Sequence, residues 1–438
     1  MKNNIFWFRR DLRLHDNAGL YHALKSDNPV VPVFIFDTNI LDKLPTKDAR
    51  VEFIHNTLID IDNTLKSLGS RLQLYYGDPV KVWSDIIADY DINEVYTNHD
   101  FEPYATKRDE EVKSLLASES IGFNTYKDHV IFEKSEITKA DGSPYSVFTP
   151  YKKKWLAKIE EGRDDSGKSY YFKAYPTEDH FDNFSKEVSE RIVTLKEMGF
   201  ERTEIEIPST EVAQGIIKKY AEQRNFPAID GTSRLGIHFR FGTVSIREKA
   251  RKAQHLSDVY LSELIWRDFY ATILHHNPQV VSEAYRPKYD RIEWLNNEEH
   301  FEAWKNGMTG YPLVDAGMRE LNQTGHMHNR VRMLVASFLT KHLLIDWRWG
   351  EAYFAEKLLD FDLASNNGGW QWASGSGTDA APYFRIFSPM AQLDKFDKQR
   401  KYVKKYIPEL GTQDYPQPIV DHKMARERCL ATYKKALA

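Results

Sequence analysis

Over the first 130 residues, short apolar runs alternate with stretches of helical spacing. Residues 5–8, 30–36, 72–76 and 94–97 have the pattern of buried strands, and residues 126–132 predict a fifth. Between them, apolar positions at 49–68, 80–89 and 106–117 recur every three to four residues, as on a helix with one buried face. This alternation predicts an α/β domain built on a doubly wound parallel sheet. From about residue 206 the strand signal disappears. Helical spacing then dominates at 211–224, 246–253, 258–275, 301–306, 312–322, 331–344 and 351–359. The intervening stretch is irregular and rich in Lys, Asp, Ser and Gly, which reads as a long connector. The expected division is an N-terminal α/β domain (1–130), a connector (131–205) and a larger all-α domain (206–438).

Composition changes this picture only in places. Hydrophobic residues are 41% and charged residues 28% of 438 positions, an ordinary globular balance. No segment approaches the ~20 apolar residues of a membrane span, and the N-terminus has no apolar signal region. The single cysteine, Cys429, excludes an internal disulfide and a thiolate-rich metal site, and it fits a reducing cytosol. The net charge of −4 argues against general nucleic-acid binding, but the charge is uneven. Residues 1–200 carry 27 basic and 34 acidic side chains, whereas 201–438 carry 33 and 30. Seven of the ten tryptophans also follow residue 200, so a polyanion would be drawn to the C-terminal part alone. The sheet domain lacks a G-x-G-x-x-G turn and the chain lacks a Walker A sequence, which argues against a standard dinucleotide or nucleoside-triphosphate site.

Chemistry collects in the C-terminal part. SELIWRDFY, 262–270, sets Glu263, Trp266, Arg267 and Tyr270 at i, i+3, i+4 and i+7, on one helix face. Such a face is either a half-buried indole beside a solvated ion pair or the wall of a pocket. In a pocket, Trp stacks on a planar ligand, Glu hydrogen-bonds it and Arg holds a nearby anion. HMHNRVRMLVASF, 326–338, sets Asn329, Arg332, Met333 and Ala336 on one face, with Arg330 pointing elsewhere. An Asn amide both donates to and accepts from a nucleobase edge. His326 and His328 fall on different faces with no carboxylate or thiolate nearby, so no metal site is expected. In GTSRLGIHFRF, Thr232 and Ser233 precede a helical stretch, the pattern of an N-cap or of an anion site. SNNGGWQWASGSGTDAAPYFRIFSP, 365–389, combines Trp370 and Trp372 with Gly, Asn and Ser: flat indole faces beside a backbone able to approach a flat ligand.

Taken in order, several blocks resemble the photolyase/cryptochrome flavoproteins, above all the bacterial class I cyclobutane pyrimidine dimer photolyases. They are FWFRRDLRLHDN, TSRL, ELIWRDFY, TGYPLVDAGMREL, HMHNRVRM, LLIDWR, DFDLASNNGGWQWASGSGTDAAPYFRIF and KFD, and they run from the first strand to about residue 405. The resemblance implies a carbon–carbon lyase that splits cyclobutane pyrimidine dimers in DNA. The electron comes from photoexcited reduced FAD (FADH⁻) and goes to a lesion flipped out of the duplex. FAD would be held by Tyr220, Thr232, Ser233, Arg234, Leu235 and Gly236, and by Arg332, Asp360, Phe361, Asp362 and Asn366. Within that set Arg332 would pair with Asp360, and Asn366 would face flavin N5. Glu263 would hydrogen-bond the thymine, Trp266 and Trp372 would sandwich the dimer, and Asn329 and Met333 would complete its pocket. Arg267, Arg330, Arg385 and Gln392 would meet the DNA backbone. Trp370, Trp347 and Trp294 would carry electrons from the surface to the flavin, and Trp349 would be surface packing. Gly236 departs from a common Ser, which removes one hydroxyl contact to phosphate, and His326 departs from a usual Trp.

The same resemblance sets two relatives aside. A (6-4) photolyase would carry histidines where Asn329 and Met333 stand. A signalling cryptochrome often replaces the N5-facing Asn and often adds a C-terminal tail, whereas here Asn366 is kept and the chain ends in KKALA. An antenna chromophore of deazaflavin or folate type in the α/β domain is left unassigned, because Tyr104 and Ala105 stand where a folate site has an Asn–Glu pair. The implied partner is UV-damaged DNA, met by a monomer in the bacterial cytosol or nucleoid, without membrane or metal.

Overall fold

Strands that are apolar on both faces need a layer of helices on each side of their sheet, and the N-terminal residues build this arrangement. The computed structural model describes residues 2–438. In it β1 (Asn3–Phe8), β2 (Val30–Asp37), β3 (Gln73–Gly77), β4 (Ile92–Asn98) and β5 (Gly122–Tyr126) run parallel in the order β3-β2-β1-β4-β5. Phe6, Phe8, Phe34, Phe36 and Leu74 pack in one layer, and Ile5, Trp7, Val31, Val33 and Tyr75 in the other. The strands are linked by α1 (Ala18–Leu24), α2 (Ala49–Ser67), α3 (Pro79–Asp89) and α4 (Pro103–Ser118). Asn17, Asp48 and Asp78 each accept a first-turn backbone N–H, and Pro79 and Pro103 supply a preset φ at the start of their helices.

The fifth strand falls earlier than the sequence predicts, and shares only Tyr126 with the expected range. Its residues GFNTY are half-exposed and form no apolar run. The apolar run that follows is buried at Val130, Ile131 and Phe132 but outside the ladder. The Asp128 carboxylate, held by two arginines, draws the chain away from β4 there.

Contact density divides the chain into two units: 1–133, 156–210 and 235–252 form the first, and 134–155, 211–234 and 253–438 the second. Two helices, α5 (Phe148–Glu161) and α6 (Ile246–Leu256), run across chain positions at which the units divide. The second unit contains α7 (Asp258–His276), and its α8 (Pro312–Thr324), α9 (Asn329–Ser337), α10 (Trp347–Lys357) and α11 (Leu363–Ser374) surround a core of Trp304, Val314, Met318, Val331, Phe338, Trp347 and Trp370. They are followed by α12 (Pro389–Phe396), α13 (Lys401–Tyr406) and α14 (His422–Leu437). The helix expected at 211–224 is two short pieces, Gln214–Lys218 and Tyr220–Gln223, with Ile217 their only buried residue. Without an apolar face to bury, a longer helix has little to hold it. The Gly/Asn-rich stretch around Trp370 is itself helical, as α11. Among the described residues no helix is long and apolar enough to cross a membrane, and no cluster could hold a metal ion.

The block FRRDLRLHDN stitches the first unit together. Arg13 donates to Asp128 Oδ2 at 2.7 Å and to the Gly242 carbonyl at 2.9 Å. Arg247 donates to Asp16 Oδ1 at 2.9 Å and to Asp128 Oδ1 at 2.8 Å. All four charged side chains are buried. Burial pushes the Asp128 carboxyl up, but Arg13 and Arg247 outweigh it and hold it well below the usual carboxylate range. Breaking a buried charge cluster by removing one partner costs roughly 3–5 kcal/mol, so Asp128→Asn lowers the urea midpoint by a corresponding amount at neutral pH. A depressed folded pKa gives stability that is present above the unfolded value, about 3.9, and lost as pH falls through the folded one. Wild type therefore loses stability below about pH 4, and Asp128→Asn loses less over that window.

Candidate active site

One cavity of about 450 Å³ opens in the second unit, within the ~300–1,000 Å³ range of small-molecule sites. The face predicted on α7 is one wall: Glu263, Trp266, Arg267 and Tyr270 all line it. The opposite side of α7 buries Leu261, Leu264, Ile265 and Phe269, so the helix is held by its apolar side and presents its polar one. The Trp266 indole lies 3.7 Å from the Phe148 ring at 6°, one face covered and fixed in plane. Glu263 is ion-paired with Arg224, which also lines the cavity. Burial raises the Glu263 carboxyl above its ordinary value despite that guanidinium.

α9 supplies a second wall. His328 accepts the Arg330 backbone N–H at 3.2 Å and caps the helix, which fixes Asn329, Arg332, Met333 and Ala336 toward the cavity. The sequence reading placed Arg330 elsewhere, and the structure corrects this: Arg330 lines the same cavity. It donates to Asn225 Oδ1 at 2.6 Å and lies 4.6 Å over the Phe396 ring. These contacts hold the side chain in place, and Asn225 belongs to the same lining. Burial, Arg224 and Arg385 all depress its pKa, so positive charge is concentrated here. Arg332 donates to the Met327 carbonyl at 2.6 Å and to Asp360 Oδ2 at 2.9 Å.

α11 closes the third side. Its N-cap, Asp362, accepts the Ser365 N–H at 3.0 Å, and Asp362, Ser365, Asn366, Gly369 and Trp370 follow at helical spacing along the lining. Trp372 lines the cavity as well. Asn366 Nδ2 lies 2.9 Å from Glu351 Oε1 and 3.1 Å from the Glu351 carbonyl. Both partners are acceptors, so the amide nitrogen must face them and Oδ1 is left for the cavity. Glu351 and Arg224 were not singled out from the sequence. Glu351 lies 15 residues from Asn366 with no local pattern joining them, and the one cue to Arg224 is its place four residues after Tyr220.

Tyr220, Thr232, Asp360 and Phe361 complete the set of expected residues that the cavity gathers. Ser233 and Arg234 lie outside its lining, and Leu235 and Gly236 fall in the first unit. Trp347 is buried in the cluster that holds Trp370, and Trp294 packs against that cluster. Arg385 is exposed and Gln392 half-buried, both off the lining.

A flavin dinucleotide suits this cavity on one observation. Asp360 Oδ1 and the Trp370 Nε1–H, both on lining residues, are buried without a protein partner. A buried polar atom left unpaired costs about 1–3 kcal/mol, and a ring system bearing both donors and acceptors would relieve it. The flat indole and phenyl walls fit the same shape.

Comparison with known proteins agrees. A family model described as the FAD binding domain of DNA photolyase matches residues 260–413, and one described as DNA photolyase matches residues 4–168. The deoxyribodipyrimidine photo-lyase of Halobacterium salinarum is 36% identical over 99% of this chain and 99% of its own. That of Escherichia coli is 35% identical over 100% and 99%. A bacterial class III photolyase from Agrobacterium tumefaciens superposes with a TM-score of 0.85 at 33% identity, covering 100% of this chain and 98% of that one. An archaeal photolyase from Sulfolobus tokodaii, described with two FAD molecules, gives 0.83 at 35%, covering 99% and 100%. These likenesses do not separate class I from class III. Two matching domains and relatives aligned from end to end leave no room for another assignment: the chain belongs to the photolyase/cryptochrome family.

Proposed function

We propose that this chain repairs cyclobutane pyrimidine dimers in DNA with light, acting as a monomer on damaged DNA in the cytosol or nucleoid. The observation that carries the reading is one cavity walled by two indoles, Trp266 and Trp372, with a half-buried acid, Glu263, among flavin-binding and DNA-facing residues. FAD, when bound and reduced, supplies the light-excited electron that opens the cyclobutane ring and takes it back afterwards.

The chain's own residues bind, orient and exclude water. Tyr220, Thr232, Phe361, Asp362 and the Arg332–Asp360 pair hold the cofactor, and the resemblance extends that set to Ser233, Arg234, Leu235 and Gly236. Glu351 holds the Asn366 amide nitrogen, so Asn366 offers an acceptor rather than a donor to the flavin edge. Phe148 keeps Trp266 in plane, and the part of the indole that lines the cavity stacks on the flipped dimer, worth about 1–3 kcal/mol per base. Glu263 hydrogen-bonds the dimer, while Asn329 and Met333 fill its sides. Arg267, Arg330, Arg385 and Gln392 meet phosphate, a role supported by the charge concentrated around Arg330. The buried cluster of Trp370 and Trp347, with Trp294 against it, suits an electron route between surface and flavin.

The reading is tested by incubating the reduced protein with an oligonucleotide carrying one thymine dimer, lit and dark, and measuring recovered thymines by chromatography. Repair is expected only in light. Loss of a hydrogen bond to a charged group is worth about 1.5–3 kcal/mol, so Glu263→Ala weakens dimer binding roughly 10- to 150-fold. Bound flavin without light-dependent repair would sink the reading.

A second prediction concerns Asn366. Asn366→Asp sets a second carboxyl against Glu351, whose pKa burial already raises. Two carboxylates in contact cannot both ionise, so one folded pKa rises further. A raised folded pKa gives stability that is full below the unfolded value, about 4, and is lost as pH rises. The variant's melting temperature therefore falls relative to wild type between about pH 4 and pH 8, and parallel curves would refute the contact.

A further inference from the structure

We infer that Trp304 and Tyr353 form a second electron route from Trp370 to solvent, apart from the one through Trp347 and Trp294, an inference that rests on the flavin site of the reading above. Trp370 lines the cavity, so its indole is the inner end of a route out of it. The Trp304 ring centre lies 6.1 Å from that of Trp370, and the Tyr353 ring centre lies 5.9 Å from that of Trp304. Both gaps fall within the ~4.5–7 Å of aromatic rings in contact. Trp304 is fully buried, whereas Tyr353, on α10, is half-exposed.

Contacts among aromatic rings are ordinarily core packing, and two features set this run apart. Its three rings are all of the kind that gives up an electron, and they lead in contact from a ligand cavity to water. Phe301 and Phe354 also stack on Trp304, at 5.7 and 6.1 Å, but a phenyl ring does not readily give up an electron. Trp349 meets the group through Phe301, at 5.2 Å, so the route is drawn to Tyr353. The second feature is the surroundings of the phenol. Asn322 Nδ2 donates to the Lys305 carbonyl at 2.8 Å, which fixes the amide and leaves Oδ1 to accept the Tyr353 hydroxyl at 2.7 Å. Lys305 and Lys357 lie 5.8 and 5.6 Å over the Tyr353 ring, and two cations there repel a positive charge on it. Tyrosine avoids that charge by shedding its hydroxyl proton on oxidation. The Trp304 Nε1–H, by contrast, donates to the Val335 carbonyl at 3.2 Å in the core, a partner that takes no proton. The outer ring of the route is therefore the one able to rest as a neutral radical.

The electrons and protons balance with a soluble thiol as the outside reductant. Light absorbed by oxidised FAD draws one electron from Trp370. Trp304 replaces it, Tyr353 replaces the electron lost by Trp304, and the Tyr353 hydroxyl proton passes to water. The thiol then gives Tyr353 a hydrogen atom, and two such thiols couple to a disulfide. Each turn sends one electron inward and one proton out.

The test is transient absorption of the flavin-loaded, oxidised protein, with thiol and without DNA. It compares Trp347→Phe with the same variant carrying Trp304→Phe or Tyr353→Phe in addition. Trp347→Phe is expected to keep light-driven flavin reduction and to show a tyrosyl radical that appears more slowly in heavy water than in ordinary water. Adding either second substitution is expected to abolish both the tyrosyl signal and lasting reduction. Tyr353→Phe deletes one half-exposed hydroxyl and reads the route without disturbing the core, and bound flavin with melting temperature shows which variants are folded. A folded Trp347→Phe that light cannot reduce would overturn the inference, and so would a tyrosyl signal that survives Tyr353→Phe. Protein reduced chemically beforehand needs no route from the surface, so failure of dimer repair and failure of this signal are separate outcomes.

Discussion

Arg332 is the side chain on which the geometry of the cavity depends. Its guanidinium reaches the Met327 carbonyl just before α9 and the Asp360 carboxylate just before α11, so one cation fixes where two helices enter the site. Half-buried charges are stable only while each has its partner, and that requirement makes the spacing of α9 and α11 specific rather than approximate. The unpartnered Asp360 Oδ1 then marks the side of the pair turned to a ligand. Asn329 and Met333 on one wall and Asn366 and Trp370 on the other follow from that single tie.

Close packing sets the second condition. A Cβ on Gly350 would sit 2.1 Å from the Trp370 ring, and one on Gly368 would sit 2.2 Å from the Tyr270 ring. Glycine inside a helix costs about 1 kcal/mol relative to alanine, yet α10 and α11 each keep one where an indole or a phenol comes against the helix backbone. The Gly-rich sequence around Trp370 was read as backbone free to approach a flat ligand. In the structure its small residues let aromatic side chains approach a helix, and the cavity lies on the face of α11 that carries Asn366 and Gly369.

The parts of the site that one helix spells out were legible in the sequence. Glu263, Trp266, Arg267 and Tyr270 share a face because 3.6 residues make a turn, and no tertiary knowledge is needed to see it. Four of the five strands were legible from their buried apolar positions, most plainly in the apolar runs of β1 and β2. Arg330 was misplaced because a long side chain held by Asn225 and Phe396 escapes the direction its Cα sets. Glu351 and Arg224 were invisible because their partners lie on other elements. The fifth strand was lost for want of an apolar run. The N-terminal block that helped carry the resemblance lies outside the lining of the cavity; its arginines and aspartates hold the sheet unit together.

Charge is divided between two tasks in the second unit. Of the charged groups that line the cavity, Arg224 is paired with Glu263 and Arg332 with Asp360. The bases of a pyrimidine dimer carry no charge, so packing against the indoles and hydrogen bonds discriminate the lesion while net charge would add nothing specific. Outside, Arg385 and the lysines of α12 and α13 are exposed, and positive charge there acts at the range of a Debye length, about 10 Å at 0.1 M salt. Positive charge placed there gives a chain of net charge −4 a local attraction for a polyanion.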